Sequence, residues 1–239
     1  MTFSADGGFF AFYGGSEAFF VATNAPTSAA RLNPHLAPNE SVTSVAWNPS
    51  SNYLVYGVNE LNLSHKLFAV PFSGATPGQP VPIPTTDALV YPSYQFVPGS
   101  SSLATWAPDL SIVMIDPTQG TTQPLTTADA GRPASAPPFD ITPDGAAIAA
   151  ARASNVVVTL LKPVTPGSTT PITSPFAAAI SILSWSSDAK FLAFVARGTG
   201  GTPPDQEVYL MRIDGANASS PVGISLSITN TTPALFWQP

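Results

Sequence analysis

The sequence predicts an all-β chain, a β-propeller of four-stranded blades, on three observations. A short turn preceded by an aromatic or aliphatic anchor recurs at nearly constant spacing. Apolar runs rich in β-branched and aromatic residues follow each anchor at fixed offsets. No segment supports a helix, since 128–135 contains Gly131 and Pro133 and 177–180 is too short to stand alone.

The anchors are Phe3 in FSADG, Trp47 in WNPSS, Phe96 in FVPGS, Ile141 in ITPDG, Trp185 in WSSDA and Trp237 in the terminal WQP. Their spacings of 44, 49, 45, 44 and 52 define five units, 1–43, 44–93, 94–138, 139–182 and 183–233, in one domain. Each anchor ends a first strand, and the turn after it, built on Asp-Gly, Pro-Asp-Gly or a substitute, leads into a second. The second strands are 9–13, 53–56, 103–106, 147–151 and 191–196, and the third are 19–22, 67–70, 112–115, 156–161 and 208–213. Short polar turns lead to a fourth strand that carries proline in the last four units, at Pro80, Pro124, Pro171 and Pro221. Proline cannot donate to a ladder, so it belongs on an outer edge, where it also discourages edge-to-edge association. The segment 234–237 is a first strand without a blade, and the first unit has little chain ahead of Phe3. The expectation is therefore that 234–237 pairs into the first blade and closes a five-bladed ring.

Composition narrows the function. Charged residues make up 9% of the chain against a usual ~25%. The net charge is −6, and the eight Lys and Arg are scattered, which leaves no footprint for nucleic acid. No apolar stretch is long enough to span a membrane, and the opening residues lack the features of a signal peptide. Cysteine is absent, so thiolate metal sites and disulfides are excluded. A surface rich in uncharged Ser, Thr, Pro and Ala points to an extracytoplasmic, bacterial setting, with the targeting signal absent from this chain.

Chemistry-bearing motifs are missing. His35 and His65 stand in no metal or triad spacing, and there is no nucleophile elbow, zinc motif or phosphate loop. Asp6, Asp144 and Asp188 in the repeated turn, and Asp116 and Asp214 in a later one, are explained by side chains that bond the backbone two residues on. Asp140, just before the Ile141 anchor, is a candidate for an ion site or a capped or solvated carboxylate, and calcium is the one cofactor the pattern allows. The anchor aromatics are expected between blades rather than on a surface platform.

The fifth unit, LSWSSDAKFLAFVARG followed by EVYLMRIDGANASSPV, resembles the repeats of TolB-type, WD40-like propellers. Trp185, Asp188, Phe194, Tyr209, Met211, Asp214, Gly215 and Asn217 fall on the family pattern; ITPDGAAIAAA and FSADGGFFAFYG keep parts of it. The second and third units depart from it, with Pro-Ser-Ser and Pro-Gly-Ser in place of Pro-Asp-Gly. The resemblance implies an architecture rather than an activity. It suggests a non-catalytic module that binds a protein or envelope partner. The alternatives are an accessory propeller of a peptidase-like hydrolase, or a calcium-dependent lactonase-like or glycan-processing propeller.

Long connections at 57–66, 85–93, 127–138, 197–206 and 225–233 are expected on one face, opposite the short turns. The partner-binding candidates on that face are Glu60, His65, Tyr91, Arg132 and Asp205.

Overall fold

The computed structural model describes residues 1–59, 65–83, 93–107, 111–117, 119–125, 138–152, 155–161, 169–172, 180–197, 206–214, 217–220 and 222–224, and all of its regular elements among them are strands. They form five antiparallel sheets, and in each the first four strands pair in sequence order. The chain groups into two compact units, Met1–Gln123 and Pro124–Pro239.

The first sheet contains β1 (Thr2–Phe3), β2 (Phe9–Gly14), β3 (Glu17–Ala22) and β4 (Ala30–Arg31). The second contains β5 (Ser41–Trp47), β6 (Tyr53–Asn59), β7 (His65–Ser73), β8 (Thr76–Pro77) and β9 (Val81–Pro82), the last two both paired with β7. The third contains β10 (Tyr94–Phe96), β11 (Leu103–Trp106), β12 (Ile112–Asp116) and β13 (Thr121–Pro124). The fourth contains β14 (Phe139–Ile141), β15 (Ala147–Arg152), β16 (Asn155–Leu160) and β17 (Thr169–Ile172). The fifth contains β18 (Ile180–Trp185), β19 (Phe191–Arg197), β20 (Gln206–Asp214), β21 (Asn217–Ala218) and β22 (Val222–Gly223).

One hydrogen-bond scheme repeats at every turn between first and second strands. The residue after each anchor donates its N–H to the carbonyl five residues on: Ser4 to Phe9, Asn48 to Tyr53, Val97 to Ser102, Thr142 to Ala147 and Ser186 to Phe191. In four of the five turns that residue is polar yet buried, and its side chain accepts the N–H that opens the second strand. Phe9 N–H reaches Ser4 Oγ (2.9 Å), Tyr53 N–H reaches Asn48 Oδ1 (3.1 Å), Ala147 N–H reaches Thr142 Oγ1 (2.9 Å) and Phe191 N–H reaches Ser186 Oγ (2.9 Å). Asp6 and Asp188 complete two turns by accepting from the Ser4 and Ser186 hydroxyls (2.6 Å each) and from the N–H two residues on. Asp144 likewise accepts from Ala146 N–H (2.9 Å), so the expected structural role of these carboxylates is observed. The same bonds hold the Asp6 and Asp188 carboxyls below their usual range, the serine hydroxyl contributing most.

The fourth position of these turns is left-handed, with φ of 70° at Gly7 and 67° at Gly145 but also 57° at Ser51 and Ala189. In the third turn the left-handed residue is instead Gly99 (φ 72°), directly after Pro98, the arrangement of a type II turn. Pro-Gly thus replaces the buried polar side chain as the device that reverses the chain.

Within the first unit, Ala11, Ala18 and Phe20 pack against Val42, Trp47, Leu54, Tyr56, Val58 and Val70 of the second sheet. Tyr53, Val55, Leu67 and Ala69 then pack against Leu103 and Ile115 of the third. Within the second unit, Ala147, Ala149 and Ala151 offer a flat small-residue face to Trp185, Leu192, Phe194 and Met211. Small side chains on one sheet therefore admit large ones from the next. Trp47, Ile141 and Trp185 are buried as expected of anchors, Phe96 is half-buried, and Phe3 stands apart at 63% exposed. Proline occupies the outer strands at Pro82, Pro124 and Pro171; Pro80 lies just ahead of its strand, and Pro221 lies outside the described residues.

The strands of the second sheet run further than the apolar runs suggest. Gly57, Val58 and Asn59 continue β6 and pair with Leu67, Lys66 and His65. The connection expected over 57–66 is therefore shorter, and His65, expected in a hydrophilic loop, opens a strand. Cross-strand pairing overrides the local polarity of His65 and Lys66.

Two substitutions in one turn test this scheme with opposite signs. Ser186→Ala strips the Phe191 N–H of its buried acceptor and is expected to lower unfolding free energy by about 1–3 kcal/mol. Ala189→Gly relieves a left-handed alanine and is expected to raise it by roughly 0.5–1 kcal/mol. Urea denaturation midpoints of the two variants measure both.

Candidate partner-binding face

The end of the second sheet that carries the connection between β6 and β7 gathers polar side chains. Ser41 pairs with Asn59 and Asn59 with His65, so three polar residues cross the sheet in line. Two residues inward the register of β5 slips between Val42 and Ser44, a bulge that turns both Thr43 and Ser44 toward Gly57. A Cβ on Gly57 would lie 2.6 Å from Ser44 Oγ and 3.1 Å from Thr43 Oγ1, so the bulge requires glycine there. Thr43 Oγ1, Ser44 Oγ, Asn59 Oδ1 and His65 Nδ1 are buried atoms without a hydrogen bond of good geometry. The Tyr94 hydroxyl lies beside Ser44, but its own bond goes to the Val55 carbonyl (3.0 Å). Buried polar atoms are nearly always paired, so four such atoms at one strand end are an exception to that rule.

The electrostatics there are those of neutral donors and acceptors. Burial holds the His65 imidazole below its ordinary value of 6.5, and burial also pushes the Tyr94 phenol well above its own. The cluster therefore suits peptide amides, hydroxyls or carbonyls rather than a strongly charged ligand.

Of the residues expected to bind a partner, Glu60, Tyr91, Arg132 and Asp205 lie outside the described residues, and His65 alone falls in this cluster. Thr43, Ser44 and Asn59 were not singled out from sequence. The available signal was Thr43 and Ser44 inside an otherwise apolar first strand, SVTSVAW, above a glycine in the second.

Asp140 is used as a clamp between neighbouring sheets. Its Oδ2 accepts the backbone N–H of Trp185 (2.8 Å), its Oδ1 accepts the N–H of Ile141 (3.0 Å), and its carbonyl accepts the Trp185 indole N–H (3.1 Å). Both oxygens of the carboxylate thus accept a backbone N–H. Among the described residues no three His, Cys, Asp or Glu side chains gather as a metal site. The counterpart indole, Trp47 Nε1, is buried without a partner, and Thr2 stands 45 positions before it, where the clamp of Trp185 has Asp140. No helix among the described residues is long and apolar enough to cross a membrane.

Antiparallel sheets of four or five strands in series, each with the same backbone bond between its first and second strands, are the blades of a known architecture, and solved structures share it. The β-propeller domain of Cps50 (Swd1) from Myceliophteria thermophila matches with a TM-score of 0.59 and 12% identity, over 90% of this chain and 64% of that one. The fold is that of a β-propeller. A putative TolB from Agrobacterium tumefaciens matches with a TM-score of 0.53 and 14% identity, over 91% of this chain and 78% of that one. A chain of the mitotic checkpoint complex matches at 0.60 and 14%, over 92% and 61%. Enzymes also share the fold, for hydrazine synthase from Kuenenia stuttgartiensis matches at 0.63 and 13%, over 94% and 64%. The chain thus spans less than two thirds of the Cps50 and hydrazine synthase chains it resembles. No protein-family model and no curated protein sequence matches it.

The buried imidazole generates a pH signature. As pH falls through 6.5, the unfolded chain takes up a proton at His65 that the folded chain refuses, so stability held above that pH is lost below it. His65→Gln is expected to flatten the decline of melting temperature near pH 6. It should leave untouched the separate decline below the carboxylate reference value of 3.8, where Asp6 and Asp188 are protonated. Melting temperatures between pH 8 and pH 3 measure the difference.

Proposed function

We propose that this chain is a non-catalytic propeller module that binds a protein partner through its long-loop face, outside the cytoplasm and without a cofactor. The observation that carries the reading is the set of buried polar atoms without a well-formed hydrogen bond on Thr43, Ser44, Asn59 and His65 at that end of the second sheet. They offer donors and acceptors that a partner's backbone or polar side chains would satisfy, in a setting where each completed hydrogen bond counts for more than on open surface. Propellers serve as parts of larger assemblies among the similar structures, the mitotic checkpoint complex being one. An envelope partner fits the uncharged, Ser- and Thr-rich composition.

The test compares the parent chain with a Ser44→Ala, Asn59→Ala, His65→Ala variant as immobilised bait in an envelope extract, with melting curves confirming that both are folded. A partner captured by the parent and reduced roughly tenfold or more on the variant, as for the loss of central interface residues, is the expected result. Equal capture by both baits contradicts the assignment of the face.

The same reading includes a closed ring of five blades. Its support is the outer face of the first sheet, where Phe3 lies 4.8 Å from Phe10, Phe10 5.8 Å from Phe12 and Phe12 5.4 Å from Phe19, centroid to centroid. This aromatic ladder lies on the side away from Trp47 and the core, and it needs a covering sheet. Thr2 and Phe3 already occupy the edge opposite Ala11 and Phe10, which leaves Phe12 to Gly14 of β2 for the segment 234–237. Small-angle scattering is expected to give a radius of gyration of about 18 Å, the value for a compact chain of this length. A distinctly larger radius at infinite dilution signifies an open arc and rejects closure.

A further inference from the structure

The opposite, short-turn end of the first two sheets holds a cleft of about 530 Å³ between the turn after Phe3 and the turn after Trp47. That volume falls within the ~300–1,000 Å³ usual for small-molecule sites. Its apolar side is formed by Phe9 and Phe72, both half-buried and both backed by Trp47, which stacks on Phe9 at 5.5 Å and packs tilted against Phe72 at 4.7 Å. The rings are thus fixed from behind and present a firm surface to the cleft. Its rim is polar and keeps hydrogen-bonding capacity to spare. Asp6 accepts at Oδ1 from the Ser4 hydroxyl and the Gly8 N–H, the Ser51 hydroxyl also bears on its carboxylate, and the two oxygens together retain lone pairs for a ligand. Ser51 accepts from the Asp6 N–H and turns its own hydroxyl to the Asp6 carboxylate, Asn52 uses its carbonyl oxygen on Asn48 and retains its amide hydrogens, and Asn24 keeps its whole amide.

The rim residues narrow the ligand class. A carboxylate with no Lys or Arg in the lining disfavours anions. The serine hydroxyl keeps Asp6 ionised, so the carboxylate remains an acceptor at neutral pH. A simple organic cation would satisfy Asp6 and the rings but leave the Asn52 and Asn24 amide donors facing a ligand without acceptors. A pyranose matches both sides: its hydroxyls donate and accept in alternation around the edge, and its C–H face lies flat on an aromatic ring. We infer that this cleft binds a neutral sugar, a mono- or disaccharide unit, with Phe9 and Phe72 as platform and Asp6, Ser51, Asn52 and Asn24 as hydrogen-bonding rim. The site is separate from the long-loop face, so it stands or falls independently of the partner reading.

The experiment is a titration of the isotopically labelled full chain with cellobiose, maltose and chitobiose, followed through backbone amide resonances, with tetramethylammonium as a cation control. Saturable shifts of Asn24, Asp6, Ser51 and Asn52 with at least one sugar are expected, at millimolar affinity, roughly 4 kcal/mol of binding free energy. Asp6→Asn is expected to weaken that binding on the order of tenfold, as for loss of a charge-assisted hydrogen bond. Because Asp6 also ties its turn, Asn24→Ala, which breaks no bond within the chain, serves as the second variant and is expected to weaken binding several-fold. Absence of saturable shifts at these residues up to ~20 mM sugar, an affinity too weak for a built site, overturns the proposal. So does saturable binding of the cation alone, or sugar binding that both variants leave intact.

Discussion

Ser4, Asn48, Thr142 and Ser186 are polar, buried and placed one residue past an anchor, where each accepts the N–H that opens the next strand. The side-chain bond and the backbone bond beside it fix where the second strand begins relative to the first, and in a sheet that choice decides which face every later side chain presents. The alternation that buries Leu54, Tyr56 and Val58 against the first sheet, or Leu192, Phe194 and Ala196 against the fourth, therefore begins at this turn. Because the group is buried, its bond is screened from water, and no solvent molecule replaces it without opening the sheet. Asp140 extends the same economy between sheets by holding the Trp185 backbone and receiving its indole through one residue.

Much of this was legible in the sequence, because the repeat registers turn chemistry as well as hydrophobicity. Asp-Gly and Pro-Asp-Gly mark the turns, the alternating apolar runs mark the strands, and the prolines mark the outer edges. The buried Ser, Thr and Asn were in plain view, yet their exposure was hidden, since turn polarity ordinarily means solvent. The length of β6 and β7 was hidden too: Gly57, Asn59 and His65 are strand residues only because each has a partner across the sheet. The bulge at Thr43 has no local signature at all, for it is a relation between two strands and Gly57.

An antiparallel sheet sends all its connections to two ends, and here the two ends differ chemically. At one end the first unit has tight turns with small residues and an aromatic wall, which leaves a cleft edged by Asp6, Asn24 and Asn52. At the other it has longer connections and buried polar atoms without a well-formed hydrogen bond, on Thr43, Ser44, Asn59 and His65. The rigid middle is apolar and packed between sheets, so either end can change its chemistry without disturbing the core.

The buried turn bonds are the foundation of this account, and native-state hydrogen exchange tests them most directly. The amides of Phe9, Tyr53, Ala147 and Phe191 donate to side chains rather than to a neighbouring strand and close turns whose tips, at Asp6, Ser50, Asp144 and Asp188, are exposed. If those bonds hold the sheets in register, these four amides exchange only with global unfolding, as slowly as amides in the middle of β6 or β19. Exchange at the rate of those exposed turn residues would contradict it.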